Sequence, residues 1–424
     1  MTLATKAVNP KPLAGAGPDI KGMVDDWARF SEDEGKLTRV FLSPEHKACT
    51  ESVIAAMKAA GMAARIDAVG NVVGRYEGTT PDAKTLITGS HIDTVRDAGA
   101  YDGNLGVALP IACIADLNAR GKRLPFAVEV IAFGDEEGVR FPTTLSGSRS
   151  IAGSFDPATL AVQDAEGTSL AEALRHFGCD PDAIPGEARK TDEVLAFVEV
   201  HIEQGPVLEA EALPVGTVTA INGASRFALT LEGMAGHAGT VPMRLRKDAL
   251  AGAAEMILAI EERGRTDEGL VATVGRIEAA PGAVNVIPGR VGFTLDIRAP
   301  QDSQREAAIA DLDKRCTEIA GRRGLTFSME RLYDEGAVAC DAILMDQLDA
   351  AIARQGLRPL RLPSGAGHDA MALGALCPIA MLFVRCGGGI SHNPLESITA
   401  EDAEAAAQVF LDFLEHLDPD SLAR

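Results

Sequence analysis

Five short, widely separated stretches of this 424-residue chain carry residues able to hold metal ions. They are Ser90-His91-Ile92-Asp93, Tyr101-Asp102-Gly103, Asp135-Glu136-Glu137-Gly138, His201-Ile202-Glu203-Gln204-Gly205-Pro206 and Ser391-His392-Asn393-Pro394. Each sets an imidazole or a carboxylate beside small or turn-forming residues, and several follow a strongly apolar run. Strand ends deliver ligands in this way. The chemistry suggested is hydrolysis at two divalent ions about 3.5–4 Å apart, which lower the pKa of a bridging water and polarise a carbonyl. Asp102, beside a glycine and at a helix start, is the best candidate to bridge two ions. Glu136 and Glu137 are adjacent acids aimed in different directions, which suits a general base (Glu136) beside a ligand (Glu137). His91, His201 and His392 complete, with Asp102 and Glu137, a set of five ligands. A metal-bound imidazole needs an acceptor for its other ring N–H. On a strand Asp93 shares the face of His91, so its side chain or the backbone could provide that acceptor.

Other residues have open roles. Arg298 ends an apolar strand, and its planar guanidinium suits either a substrate carboxylate or a structural salt bridge. Asn285 could contact substrate or cap the turn before Pro288-Gly289. His237 lies in a glycine-flanked loop, where a core role does not fit. The Gln204 amide follows a ligand directly and could bind a ureido group, and Gly367 lets a backbone approach a substrate closely. The role of His368 stays undecided. His46, His176 and His416 sit in polar contexts and are read as surface residues.

These residues need a scaffold. Buried strands are expected at Leu86–Ser90, Phe126–Phe133, Leu195–Ile202 and Ile379–Val384, with a buried helix over Leu105–Leu117. The stretch 23–60 reads as helical with a break at Pro44, and a last helix runs from Thr399 to His416. Alternating strands and helices predict an α/β fold, a mainly parallel mixed sheet flanked by helices. Between Val218 and Tyr333 the order becomes βαββαβ, a ferredoxin-like α+β insertion. The expected organisation is a loose arm over 1–20, a catalytic domain over 21–217 and 334–424, and an inserted domain over 218–333. The length agrees with two domains.

Bulk properties narrow the function. The formal charge of −21 argues against nucleic acid and anionic membranes as partners. No apolar run is long enough for a membrane-spanning helix. Seven scattered cysteines without a Cys-x-x-Cys pair, and no secretory leader, point to reduced thiols in the cytoplasm.

His91-x-Asp93, Asp102, Glu136-Glu137 and His392 together resemble the di-zinc aminoacylase and carboxypeptidase clan. Histidine at 201, followed by Glu203-Gln204-Gly205-Pro206, is similar to the branch of N-carbamoyl-L-amino-acid hydrolases, β-ureidopropionases and allantoate amidohydrolases. Gly236-His237-Ala238-Gly239, Asn285-Val286-Ile287-Pro288-Gly289, Asp296-Ile297-Arg298 and Ser364 to Ala370 match that branch too. The resemblance implies one ion held by His91, Asp102 and His201, and another by Asp102, Glu137 and His392. The ions expected are zinc or manganese, with cobalt or nickel also suited. It implies a homodimer through the inserted domain, which acts as lid and dimerisation element. His237 is then expected to stabilise the oxyanion, and Asn285 and Arg298 to hold the substrate carboxylate, some of them from the partner subunit. The expected activity is cleavage of the ureido C–N bond of an N-carbamoyl-L-amino acid, releasing ammonia and carbon dioxide. Allantoate is the second expectation and N-carbamoyl-β-alanine the third. A dipeptidase or deacylase, or a non-catalytic binding protein of the same fold, are the remaining readings.

Overall fold

The computed structural model describes residues 13–422. The chain forms two compact units: Met1–Thr219 with Cys340–Leu362 and His368–Arg424, and Ala220–Ala339 with Pro363–Gly367. The second unit therefore starts two residues later than expected, ends six later, and takes in a short loop near residue 365.

The first unit is built on a mixed sheet. Its strands run in the spatial order Ala63–Ile66, Val72–Tyr76, Ala127–Phe133, Thr85–His91, Val194–Ile202, Ile379–Val384 and Val215–Ile221. The central four are parallel to one another. Every residue of those four is buried, which explains their unbroken apolar sequences: both faces are covered, so alternation disappears. The helix Asn104–Ala119 crosses over between the strands ending in His91 and Phe133, and eleven of its residues are buried. Helices Gly17–Trp27, Ala342–Arg354 and Ala400–His416 add to the same core. Thr399 caps the last of these by accepting the Asp402 N–H (3.0 Å).

Two expectations change. Pro44 does not break one long helix; it opens the helix Pro44–Ala59, with Ser43 as cap accepting the His46 N–H. Proline suits a first turn, where its missing N–H costs no bond. The expected arm over 1–20 overlaps the helix Gly17–Trp27, whose Ile20 is fully buried, and its first twelve residues lie outside the described residues. His46 is also corrected. It is buried, accepts the Leu42 N–H at Nδ1 (3.1 Å), and packs against Phe41 and Phe177. His176 and His416 are exposed.

The second unit is an antiparallel sheet in the order Ile277–Ala280, Arg290–Ala299, Gly223–Glu232, Thr326–Glu335, with Val271–Thr273 also paired to the second strand. Helices Ala249–Gly264 and Asp302–Arg323 bury one face in a core around Leu229, Met256, Leu295 and Leu312. The chain order and strand order together are ferredoxin-like. A two-stranded ribbon, Gly236–His237 with Val286–Ile287, completes the unit. Among the described residues no helix is long and apolar enough to cross a membrane.

Candidate metal centre

The parallel strands end where the chemistry begins. His91 is the last residue of its strand, and His201 the penultimate residue of the next. Asp102 comes from the turn that opens the helix Asn104–Ala119. Glu136 and Glu137 follow the strand Ala127–Phe133, and His392 follows Ile379–Val384. Residues up to 301 positions apart, His91 and His392, thus meet around Asp102 within one unit.

The ligand atoms converge. His201 Nε2 lies 3.1 Å from Asp102 Oδ1, and His91 Nε2 lies 3.3 Å from the same oxygen. His392 Nε2 is 3.4 Å from Asp102 Oδ2 and 3.6 Å from Glu137 Oε1. Glu136 Oε2 is 3.9 Å from His91 Nε2. Two of the groups able to hold a cation are His91–Asp102–His201 and Asp102–Glu137–His392, and Asp102 serves both. The two oxygens of Asp102 face these two groups separately.

Backbone geometry enforces this arrangement. Gly103 has φ of +66°, and a Cβ there would meet the His91 ring and carbonyl at 2.5 Å. Only glycine lets the Asp102 turn pass so close to His91. Asp135, Gln204 and His392 all adopt positive φ without being glycine. Such conformations are held by their surroundings and cluster at functional sites. Asp135 is fixed by hydroxyls from Thr143 (3.1 Å) and Ser146.

The imidazoles are oriented by the main chain. His91 Nδ1 lies 2.8 Å from the Asp93 carbonyl oxygen, and His201 Nδ1 lies 2.8 Å from that of Ile202. A carbonyl only accepts, so each Nδ1 carries the proton. Each Nε2 is left to face Asp102. The Asp93 carboxylate instead accepts the N–H groups of Glu136 (3.2 Å) and Glu137 (3.3 Å). Asp93 thus serves the imidazole through its backbone and the paired acids through its side chain.

The charges fit a cation site. Burial pushes Glu136 well above the usual carboxyl range, His91 opposes this, and Glu137 adds to it. Burial likewise lifts Glu137 to about 8. Burial would lower His91, but Asp102, Glu136 and Glu137 outweigh it and hold the ring well above its ordinary value. Ligands that hold protons this firmly would release them on binding a cation, so metal affinity at such a site depends on pH. Such a concentration of buried carboxylates, with two Nε2 atoms aimed inward, suits divalent ions.

Several neighbours surround these ligands, and of them the parts played by Ser391, Arg39 and Glu199 were not legible in the sequence. Ser391 Oγ donates to Asp102 Oδ2 (2.5 Å). Gln204 Nε2 also donates to Asp102 Oδ2 (2.7 Å) and to Ser391 (3.2 Å). Gln204 Nε2 is therefore engaged with the bridging candidate, and its Oε1 is left without a hydrogen-bond partner among the described residues. The fully buried Arg39 donates to the Ile92 carbonyl (2.7 Å) and to Asn104 Oδ1 (2.6 Å), tying the His91 segment to the Asp102 turn. Glu199 shares the face of His201, accepts from Ser90 (2.7 Å) and from the Ala370 N–H (3.1 Å). His368 is buried edge-on against His201, with ring centroids 4.5 Å apart, and burial drives it well below its ordinary value. For Ser391 and Glu199 the only available signal was a serine or glutamate near a ligand, and both residue types are too common to stand out.

The remaining candidates lie in the second unit. His237 and Asn285 are brought together on the two-stranded ribbon, where the Asn285 carbonyl accepts the Ala238 N–H (2.9 Å). His237 is exposed, and its Nδ1 accepts the Gly239 N–H (3.1 Å). Arg298 is held sideways by Asp296 through Nε (2.8 Å) and Nη2 (3.1 Å), and Nη1 donates to the Gly365 carbonyl (2.6 Å). Three of its five N–H groups are thus used in fixing its direction. Gly367 is exposed in the loop after Ser364.

The chain is similar to known proteins over most of its length. The model of peptidase family M20/M25/M40 matches residues 87–416. An N-carbamoyl-L-amino acid amidohydrolase of Geobacillus stearothermophilus is 42% identical over 390 residues, covering 90% of this chain and 95% of its own. Allantoate deiminase 1 of Glycine max is 42% identical over 424 residues, covering 92% and 88%. The crystal structure of an amidase of the hydantoinase/carbamoylase family from Burkholderia multivorans superposes with a TM-score of 0.88 at 34% identity, covering 94% and 97%.

Proposed function

Because the chain belongs to peptidase family M20/M25/M40, we propose that it is a metal-dependent amidohydrolase of linear, non-peptide amides. Its leading substrate class is N-carbamoyl-L-amino acids. The observation that carries this reading is the convergence of His91, Asp102, Glu136, Glu137, His201 and His392, in a chain 42% identical to an enzyme of that name. Allantoate is the second reading, favoured by an equally similar allantoate deiminase.

In this proposal His91, Asp102 and His201 would hold one divalent ion, and Asp102, Glu137 and His392 a second. Zinc or manganese suits such mixed ligands best. When bound, the ions would supply Lewis acidity and a lowered pKa for water in the site. Glu136 takes a proton from the attacking water as it adds to the ureido carbonyl, then returns it to the leaving nitrogen. Its raised affinity for protons suits both halves of that task. The imidazole of His237 donates to the oxyanion. Arg298 and Asn285 hold the substrate carboxylate, and the Gly367 backbone lies alongside. The C–N bond breaks to give ammonia and a carbamate, which loses carbon dioxide to leave the amino acid. Gln204 keeps Asp102 oriented and presents its remaining amide edge to the ureido group.

A homodimer through the second unit is part of the same proposal. Met234, Met243, Leu245 and Val284 flank His237 and Asn285 and are all exposed, an apolar surface that a second copy would cover. The cysteines, all unpaired, support a cytoplasmic setting.

The test is ammonia release by metal-stripped enzyme after each ion is restored. The panel contains N-carbamoyl-L-amino acids, allantoate, N-carbamoyl-β-alanine, dipeptides and N-acetyl amino acids. Metal-dependent ammonia from a ureido substrate is expected. Hydrolysis confined to dipeptides or N-acetyl amino acids would overturn the proposal.

A further inference from the structure

The turn that carries Asp102 is gripped by a carboxylate outside both candidate ligand sets. Glu396 Oε1 accepts the N–H of Tyr101 (2.7 Å) and of Asp102 (3.0 Å). The residue is 6% exposed, and its Oε2 is buried without a hydrogen-bond partner among the described residues. A half-satisfied buried carboxylate is a costly way to brace a loop. A neutral side chain could accept the same two bonds more cheaply.

The position of Glu396 in the chain gives the arrangement a purpose. Glu396 lies four residues after His392, and its own N–H donates to the Asn393 carbonyl (3.0 Å). At the other end of this segment, Ser391 Oγ bonds the Asp102 carboxylate (2.5 Å). Residues 391–396 therefore hold Asp102 twice, at its side chain and at its amide. Neither Asp102 nor His392 belongs to a strand, so sheet register does not fix their separation. Gly99 makes room for the grip, because a Cβ there would collide with the Glu396 side chain.

We propose that Glu396 is a positioning residue that sets the place of the Asp102 carboxylate relative to His392. This rests on the reading of Asp102 and His392 as ligands. The experiment titrates Zn²⁺ into metal-stripped full-length protein against a competing chromophoric chelator, with the Tm of metal-free and loaded protein recorded in parallel. Glu396→Met removes the acceptor and should weaken Zn²⁺ binding by about 10–100-fold, the range for losing an outer partner of a ligand. Glu396→Gln keeps an acceptor oxygen and should bind close to wild type. Glu396→Asp keeps the charge, withdraws the oxygen by one methylene, and should weaken binding as Glu396→Met does. That third variant decides the matter if Glu396→Met does not fold. Wild-type affinity in Glu396→Asp or Glu396→Met, even with a lowered Tm, would leave only a structural brace and overturn the proposal. So would a loss in Glu396→Gln as large as in Glu396→Met. A wild-type protein that takes up no Zn²⁺ would instead sink the metal reading itself.

Discussion

His91 and His201 each commit their Nδ1 proton to a peptide carbonyl, and Glu136 is the proton carrier proposed beside them. Glu136→Gln should retain metal and lose about 10²–10⁴-fold in kcat, the usual contribution of a positioned base. A near-normal kcat, measured with metal content verified, would remove Glu136 from that role. Arg298→Ala should raise KM for carboxylate substrates by roughly 10–100-fold, the worth of a charged hydrogen-bonded contact of about 1.5–3 kcal/mol. Arg298→Lys should not rescue it, because lysine lacks the planar fork that Asp296 aims. An unchanged KM in Arg298→Ala would place the guanidinium outside the substrate site. At this scale the six central residues were legible because each stood in a glycine- or proline-marked motif. What Asp93 does was only half legible: the sequence allowed its side chain or its backbone to serve His91. The fold uses the backbone, and frees the carboxylate for Glu136 and Glu137. The bond of Gln204 to Asp102, at 2.7 Å, was not legible, because a sequence does not reveal which side chains a fold brings together.

At the scale of elements, the buried strands were readable as apolar runs of strand length, and their ends coincide with the ligands. The helix Pro44–Ala59 was misjudged because a proline was taken as a break rather than a first turn. Its His46 was misjudged with it: a polar sequence context hid a ring packed between Phe41 and Phe177. Burial lowers His46 from its ordinary value to about 3. Between about pH 6.5 and 3 the unfolded chain holds a proton that the folded chain excludes. Its contribution to stability is therefore complete above pH 6.5 and is lost as the pH falls toward 3, by about 5 kcal/mol at most. Chemical denaturation of His46→Gln between pH 4 and 7 should give a flatter dependence on pH than wild type. Parallel curves would show that another group carries the acid sensitivity.

For the whole molecule, the decisive question is whether one subunit is sufficient. The first unit holds the candidate metal ligands, and the second holds His237, Asn285 and Arg298. If these groups act across a dimer, mixing inactive Glu136→Gln subunits with inactive His237→Ala subunits should restore activity. With random exchange of subunits, half the dimers are mixed and each carries one intact site, giving about a quarter of wild-type activity. Verified mixed dimers without activity would confine each site to a single chain. The βαββαβ order made the inserted unit readable. Its exact limits were not, because the loop 363–367 joins it from far along the chain.

The sheet has one further consequence, for how the protein is made. The strand Val194–Ile202 pairs with Ile379–Val384 in the middle of the sheet, and the whole second unit is synthesised between them. At about 5–20 residues per second, the earlier strand waits roughly 10 to 35 seconds on the ribosome for its neighbour. During that interval it presents a long apolar edge, the kind of surface on which nascent chains stick to one another. Slow translation through residues 203–378 should therefore lower the yield of this protein more than equal slowing after residue 384.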